Sequence, residues 1–157
     1  MLDAGVGAPE FVLRDLEGRA TRLSDLCSSG PVVIAFFKVS CPTCQLAFPF
    51  LERMNRNRAD DAPRIVAISQ DSSVETREFH AEFGISLPTL LDPEEGEYAA
   101  SNAYGISNVP SMFLVETGGR ISWTSCGFSR KDLQQLAQRM GAEAFQKGDH
   151  VPEWKPG

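Results

Sequence analysis

The sequence predicts an α/β protein with a central mixed β-sheet flanked by helices. Two runs, 32–37 and 64–69, are rich in β-branched and aromatic residues and have the length of strands buried on both faces. Segments with helical spacing of apolar residues follow both runs. Residues 111–116 and 120–125 are two more strand-like segments, joined by Thr117-Gly118-Gly119, a strong hairpin signal. Alternating strands and helices that end in a hairpin and a last helix favour helices on both faces of a mixed sheet.

The region before the first buried run also has strand character. Residues 10–14 and 20–23 alternate around Glu17-Gly18, which predicts a β-hairpin extension at the N-terminal side of the sheet. A brief helical turn is expected at 24–26, and residues 28–31 form a loop into the first buried strand.

Helix predictions rest on apolar periodicity and on end signals. The first long helix follows residue 41 and ends near Asn57, with Pro49 inside it. A second spans 72–83, since it has a polar start and Gly84 as a stop. Residues 94–104 and 129–140 are expected to be helical too, the latter facing inward through its apolar positions: Leu133, Leu136, Ala137 and Met140. Residues 1–140 are thus predicted to form a single domain, and 141–157 a C-terminal tail that either lies across the body or is disordered.

Composition sets the remaining bounds. The chain of 157 residues fits one domain, and its net charge of −6 without a basic block argues against nucleic acid or an anionic membrane as the partner. No apolar run approaches the roughly 18–20 residues of a membrane span. Residues 1–9 lack the pattern of a signal peptide. The sequence therefore leaves two cellular compartments as alternatives: the protein is cytoplasmic, or it is extracytoplasmic if a signal or anchor segment has been removed. A monomer is favoured.

Two cysteines stand where the first buried strand turns into a helix. Unpaired N–H groups and the helix dipole stabilise an anion there, and Cys-x-x-Cys motifs in this setting have pKa values lowered from about 8.5 to roughly 3.5–7.5. Cys41 is expected to cap the helix as the exposed, attacking thiolate. Cys44 lies one turn further and can resolve a mixed disulfide. Pro42 suits the first turn, where its missing N–H is not needed.

Other uses of the pair are less consistent with the sequence. A zinc site needs further ligands at short spacing, whereas Cys27 and Cys126 are isolated and the two histidines, His80 and His150, are far apart. His80 is expected on a helix surface. A structural disulfide remains an alternative to a redox pair. We predict no metal and no cofactor apart from the disulfide of the chain itself.

Several short motifs, in order, resemble those of thioredoxin-like redoxins. They are Ala8-Pro9-Glu10-Phe11, Leu16-Glu17-Gly18-Arg19, Leu23-Ser24-Asp25-Leu26, the Cys41-to-Cys44 motif with Phe48-Pro49, Asp92-Pro93, Tyr104-Gly105-Ile106 and Val109-Pro110-Ser111. The sequence is most similar to AhpC/TSA-type redoxin domains, which include the TlpA and ResA thiol-disulfide oxidoreductases. The resemblance covers about residues 8–140 and implies a thioredoxin fold.

The resemblance also implies which residues shape the site. The Val109-Pro110 bond is expected to be cis, which would hold the backbone of Val109 beside Cys41 for pairing with an extended substrate strand. An ordinary proline at a strand start is the alternative. Pro42 and Thr43, between the cysteines, are expected to tune the reduction potential.

The sequence departs from its relatives at three positions. Ser40 replaces the usual Trp before the first cysteine, Ala35 replaces a buried acid, and Ala47 replaces the Glu of ResA-like proteins. Proton transfer must then come from water, from Lys38 or from a group that the sequence does not identify. Lys38 is a candidate electrostatic modulator, although lysines at strand ends are often simply solvated. Cys126 is a second candidate modulator, because the hairpin returns it towards the redox end, but it could equally be inert.

Three functions follow from this sequence. The first is a thiol-disulfide oxidoreductase acting on protein disulfides or dithiols. A peroxiredoxin-like peroxidase is the alternative, although neither cysteine has the P-x-x-x-T/S-x-x-C surroundings of that class. The third is a non-catalytic binding module or a copper carrier. Copper carriers of this fold resemble Cys-x-x-x-Cys with a distant His, whereas here two residues separate the cysteines and no histidine stands in the segment leading up to Pro110.

Overall fold

A seven-stranded mixed sheet forms the centre of the computed structural model, which describes all 157 residues. The strands are β1 (Val12–Asp15), β2 (Ala20–Arg22), β3 (Val32–Phe37), β4 (Arg64–Ser69), β5 (Thr89–Leu91), β6 (Ser111–Val115) and β7 (Ile121–Cys126). Their order across the sheet is β2-β1-β5-β4-β3-β6-β7. β3 pairs in parallel with β4 and antiparallel with β6, so the predicted mixed sheet is confirmed.

Five α-helices surround this sheet. They are α1 (Leu23–Ser28), α2 (Pro42–Arg56), α3 (Ser73–Phe83), α4 (Ala99–Ala103) and α5 (Arg130–Met140). None combines the length with the apolar content that a bilayer crossing requires. A separate pair of short strands, β8 (Phe128–Ser129) and β9 (Trp154–Lys155), lies outside the main sheet.

The central strand β3 explains why helices cover both faces. All six of its residues are buried, and successive side chains point to opposite faces. Val33, Ala35 and Phe37 pack with apolar residues of α2, α3 and α5. Val32, Ile34 and Phe36 pack with α1, α4 and Tyr104 on the other face. The apolar run predicted as a doubly buried strand therefore forms the contact between two core layers.

Local signals set several element boundaries as predicted. Ser72 and Glu75 form a reciprocal capping box at the start of α3, and Gly84 ends it in the left-handed conformation. Ser129 caps α5, whose predicted inward positions are all buried. The N-terminal hairpin is also confirmed; β1 joins the main sheet through β5.

Residues 94–104 do not form the single helix that we predicted. A 3-10 turn (Glu94–Gly96) is followed by Glu97 and Tyr98, both with positive φ, before α4 begins. The buried carboxylate of Asp92 accepts hydrogen bonds from the backbone N–H of Ala100 (3.1 Å) and Ser101 (2.7 Å). This carboxylate satisfies N–H groups of the first turn, so the helix starts late.

His80 is also placed differently from our expectation. It is half-buried, and its Nε2 lies 3.0 Å from the buried Thr89 Oγ1, on the strand β5 beside it. A helical histidine near the end of α3 therefore packs towards the sheet rather than into solvent.

Candidate active site

The two cysteines of the Cys-x-x-Cys motif lie at the carboxyl end of β3. Cys41 occupies the N-cap of α2 with extended backbone angles (φ −80°, ψ 115°), and Pro42 is the first helical residue. The backbone N–H of Cys44 donates to Cys41 Sγ at 3.2 Å. Cys41 is partly exposed, whereas Cys44 is fully buried. One sulfur thus faces solvent while the other lies directly behind it.

Burial dominates the electrostatics of Cys44. Loss of hydration raises the pKa of its thiol well above the ordinary value, and the charges of Cys41 and Asp71 raise it further. The backbone of Lys38 opposes this shift. Cys44 is therefore a protonated thiol at neutral pH, so it needs a proton acceptor before it can act as a nucleophile.

The segment before β6 faces the cysteines. The Val109-Pro110 peptide bond is cis, as the resemblance implied. The Cys41 thiol donates a hydrogen bond to the Val109 carbonyl at 3.3 Å. Val109 is partly exposed and Pro110 is buried. The structure therefore places the predicted backbone beside the outer sulfur.

An open cleft of about 480 Å³ leads to Cys41. It is lined by Lys38, Cys41, Pro42, Gln70, residues 106–109 and Gly157. The Lys38 ammonium lies 6.0 Å from the centre of the Tyr98 ring. Lys38 lines this cleft, and its role as a modulator stays a prediction.

Cys126 lies one strand away from this cleft. It is exposed at the end of β7, where it pairs with Ser111, the residue after Pro110. Ser111 Oγ is 3.8 Å from its sulfur, a long contact. Cys126 is near the β6 start but does not line the cleft. Cys27 is buried in the core layer on the opposite face, next to the start of β3.

Asp71 is a site residue that the sequence reasoning missed. Its Oδ2 accepts a hydrogen bond from the backbone N–H of Val39 at 2.7 Å, in the turn between β3 and Cys41. Phe37 and Ser69, the last residues of β3 and β4, are paired in register. The available signal was an acid two residues after the end of β4, the strand that pairs in parallel with β3. Parallel strands end at the same edge of a sheet, so this acid is expected near the cysteines.

Residues 153–157 also reach the site, which the sequence did not indicate. Thr43, buried in the first turn of α2, donates from Oγ1 to the Pro156 carbonyl at 2.5 Å.

Ala35 and Ala47, the two positions where the resemblance to ResA and thioredoxin implied an acid, are fully buried in the apolar core. No group of three or more His, Cys, Asp or Glu side chains is arranged to hold a metal ion.

Several known proteins are similar to this chain. Residues 4–124 match the AhpC/TSA family. Thiol-disulfide oxidoreductase ResA of Geobacillus thermodenitrificans is 29% identical over 133 residues, covering 83% of this chain and 74% of that protein. ResA of Bacillus subtilis is 29% identical over 121 residues, covering 76% of this chain and 65% of that protein.

A solved structure gives the same assignment for the fold. The thioredoxin domain of a thiol-disulfide oxidoreductase from Bacteroides vulgatus superposes with a TM-score of 0.77 at 22% identity, covering 88% of this chain and 97% of that one. The predicted fold and family are both confirmed. With 121 of its residues (4–124) matched, the chain belongs to the AhpC/TSA family and has a thioredoxin fold.

Proposed function

We propose that this protein is a thiol-disulfide oxidoreductase that exchanges the Cys41–Cys44 dithiol with the disulfide of a partner protein. One observation carries the proposal: Cys41 is a partly exposed helix cap that accepts the Cys44 N–H at 3.2 Å, with the Cys44 thiol buried behind it. This arrangement separates an accessible nucleophile from a protected resolving thiol. The ResA proteins, to which the chain is similar, are named for the same activity.

The reaction takes place in two displacements. The Cys41 thiolate attacks one sulfur of the partner's disulfide, whose S–S bond breaks, and the second partner sulfur leaves as a thiolate that takes up a proton. Cys44 then loses its proton and attacks Cys41 Sγ, which releases the first partner sulfur. The partner gains two electrons and two protons, and the protein is oxidised to the Cys41–Cys44 disulfide. The reverse sequence oxidises a partner dithiol.

We assign Asp71 as the acceptor of the Cys44 proton, directly or through water. The burial of Cys44 makes an acceptor necessary, and Ala35 and Ala47 offer none. The Asp71 carboxylate is half-exposed, so a proton can pass to solvent, and the Val39 N–H fixes its position. Its charge acts on the Cys44 thiol. A carboxylate that reaches a thiol directly or through one water can act as its general base.

The residues around the pair orient the partner. The Val109 backbone lies against Cys41, so an extended segment of the partner can align beside it. Pro42 and the Lys38 side chain border the cleft on the approach to the sulfur. Thr43 stands behind Pro42 and is buried. A protein with an accessible disulfide on an extended segment is therefore the proposed substrate class.

A disulfide reduction assay tests this function. The reduced protein, incubated with insulin and a dithiol, should accelerate insulin reduction, and Cys41→Ser should abolish the acceleration. The same preparation should consume hydrogen peroxide no faster than its Cys41→Ser variant. Rapid, Cys41-dependent peroxide consumption with no insulin reduction would show a peroxidase instead.

A further inference from the structure

Residues 141–157 lie outside the family match, yet they fold back onto the domain. Ala144 is only 4% exposed and belongs to the core beside α2 and α5. Arg53 of α2 pairs with Asp149 at 2.6 Å. The Phe145 ring packs 5.2 Å from that of Phe50. These contacts anchor the segment about half a dozen residues before it reaches the cysteines.

Residues 153–157, which we call the strap, then cross the active-site surface. β9 pairs antiparallel with β8, and the Arg130 N–H donates to the Glu153 carbonyl at 2.9 Å. Thr43 Oγ1 donates to the Pro156 carbonyl at 2.5 Å. Apart from the exposed Arg130–Glu153 ion pair (3.2 Å), the strap is therefore bound through its backbone, in the way a docked peptide strand is bound.

The end of the strap touches the backbone that holds Cys41. A Cβ placed on Gly157 would clash with the Val109 carbonyl oxygen and lie 2.8 Å from its carbon. A Cβ on Gly127 would lie 2.6 Å from the Lys155 carbonyl oxygen. Both approaches need glycine. The Val109 carbonyl accepts the hydrogen bond from the Cys41 thiol, so the strap occupies the surface next to the reacting sulfur.

We propose that the strap covers the docking surface of an extended partner segment, which must displace it before a protein disulfide can reach Cys41. This proposal rests on the proposed function. The cleft of about 480 Å³ beside Cys41 stays open with the strap in place: Gly157 of the strap forms part of its border, and Lys38, Gln70 and Ile106 line it further away from the strap's backbone contacts. A small disulfide enters there without moving the strap. The strap therefore makes the protein discriminate between small disulfides and extended polypeptides.

The strap can leave without unfolding the domain. Trp154 is 61% exposed, and Pro156 and Gly157 are exposed too, so no buried apolar side chain holds the strap in place. The anchor at 144–149 keeps the displaced segment close, so that it returns when the partner leaves. Segments bound by a few backbone hydrogen bonds belong to the part of a protein that opens most easily.

Deletion of residues 153–157 tests the proposal. Stopped-flow rates for the reduced protein are measured with a disulfide-containing extended peptide and with hydroxyethyl disulfide. The peptide rate should rise about tenfold, as expected if the surface is free about one-tenth of the time, while the small-disulfide rate changes less than about twofold. Gly157→Ala should raise the peptide rate by a smaller factor. Gly118→Ala is the matched control, since no atom lies within 4 Å of its added Cβ.

Each outcome bears on one proposal. Equal peptide rates in the intact and deleted proteins, with both active, would overturn the strap and leave the proposed function standing. A parallel fall of both rates with a lower melting temperature would show that the strap is only structural, and an unchanged Gly157→Ala peptide rate in a folded protein would agree with that. Inactivity of the intact and deleted proteins towards both disulfides would overturn the proposed function itself.

Discussion

The two ends of β3 each carry a buried cysteine, and only one end is equipped for chemistry. Cys44 lies behind the carboxyl end and Cys27 beside the amino end, and burial raises the pKa of both thiols. What differs is the surroundings. Cys44 has a second sulfur at a helix cap, whereas Cys27 lies within the last turn of α1 and packs among apolar side chains. A perturbed thiol pKa therefore reports burial, and a site requires an accessible partner sulfur as well.

Substituting one cysteine at each end should have the largest effect. Cys41→Ser should lower the rate of disulfide exchange by at least about 10³-fold, because the nucleophile is lost. Cys27→Ala should leave the rate within about twofold and cost about 1 kcal/mol of stability, through the small cavity it leaves. Insulin reduction and urea unfolding measure the two quantities. A comparable loss of activity in both variants would remove the distinction between the two ends.

Removing the Asp71 carboxylate should have the next largest effect. Asp71→Asn keeps an acceptor for the Val39 N–H but no proton acceptor for Cys44, so we expect resolution of the mixed disulfide to slow about 100-fold near neutral pH. The defect should shrink as pH rises, since hydroxide can then take the proton. Glu94→Gln is the matched control, because Glu94 is an exposed acid in the pocket beside Asp71. Equal rates in the two variants at every pH would exclude Asp71.

The stability of the protein at alkaline pH should show the raised thiol pKa that the two ends of β3 share. Because folding raises the pKa of Cys44, its contribution to stability is complete below the unfolded-state value of about 8.5 and falls as pH rises above it. The unfolding free energy of the reduced protein should therefore decrease with pH there, and each such thiol adds up to about 1.4 kcal/mol per pH unit to the slope. Cys44→Ala and Cys27→Ala should each flatten the slope in urea unfolding at pH 8 to 10. An unchanged slope in Cys44→Ala would mean that this thiol ionises alike in both states.

A matched pair of hydrogen-bond deletions should give the smallest effect. Thr43 donates to the Pro156 carbonyl at 2.5 Å, and Tyr104 donates to the Pro9 carbonyl at 2.8 Å on the other core face. Thr43→Val and Tyr104→Phe should each cost about 1 kcal/mol in thermal unfolding. Only Thr43→Val should also speed hydrogen exchange at the Lys155 amide, since of these two hydrogen bonds only the one from Thr43 is made to the strap. Faster exchange there in both variants would mean that the strap opens with the whole domain.

The sequence predicts the part of the site around the two cysteines because the signals for it are adjacent in the chain. A buried β-branched run and the Cys-Pro-Thr-Cys that comes after it determine the strand, the helix cap and the two thiols within thirteen residues, 32–44. Asp71 depends on the parallel pairing of β3 with β4, which is visible in the sequence only as the position of an acid after a second buried strand. The break at Glu97 and Tyr98 depends on the side chain of Asp92, which overrides helical periodicity.

The strap lies beyond such reasoning because its contacts are all distant in sequence. Pro156 meets Thr43 across 113 positions, and Gly157 meets Val109 through backbone fit alone. Neither contact leaves an apolar pattern that could be read in advance. Glycines at 127 and 157 are consistent with close backbone approach, but many glycines in a chain serve only turns.

The central claim is that Cys41 is the sulfur that a partner disulfide meets first, with Cys44 behind it. Mass spectrometric mapping of mixed disulfides tests this claim most directly. A disulfide-containing peptide is offered to Cys44→Ser and to Cys41→Ser, and each adduct is located by digestion. We predict a stable adduct on Cys41 in the first variant and none on Cys44 in the second. Adducts that form equally fast on Cys44, or that appear on Cys126 in both variants, would contradict this account.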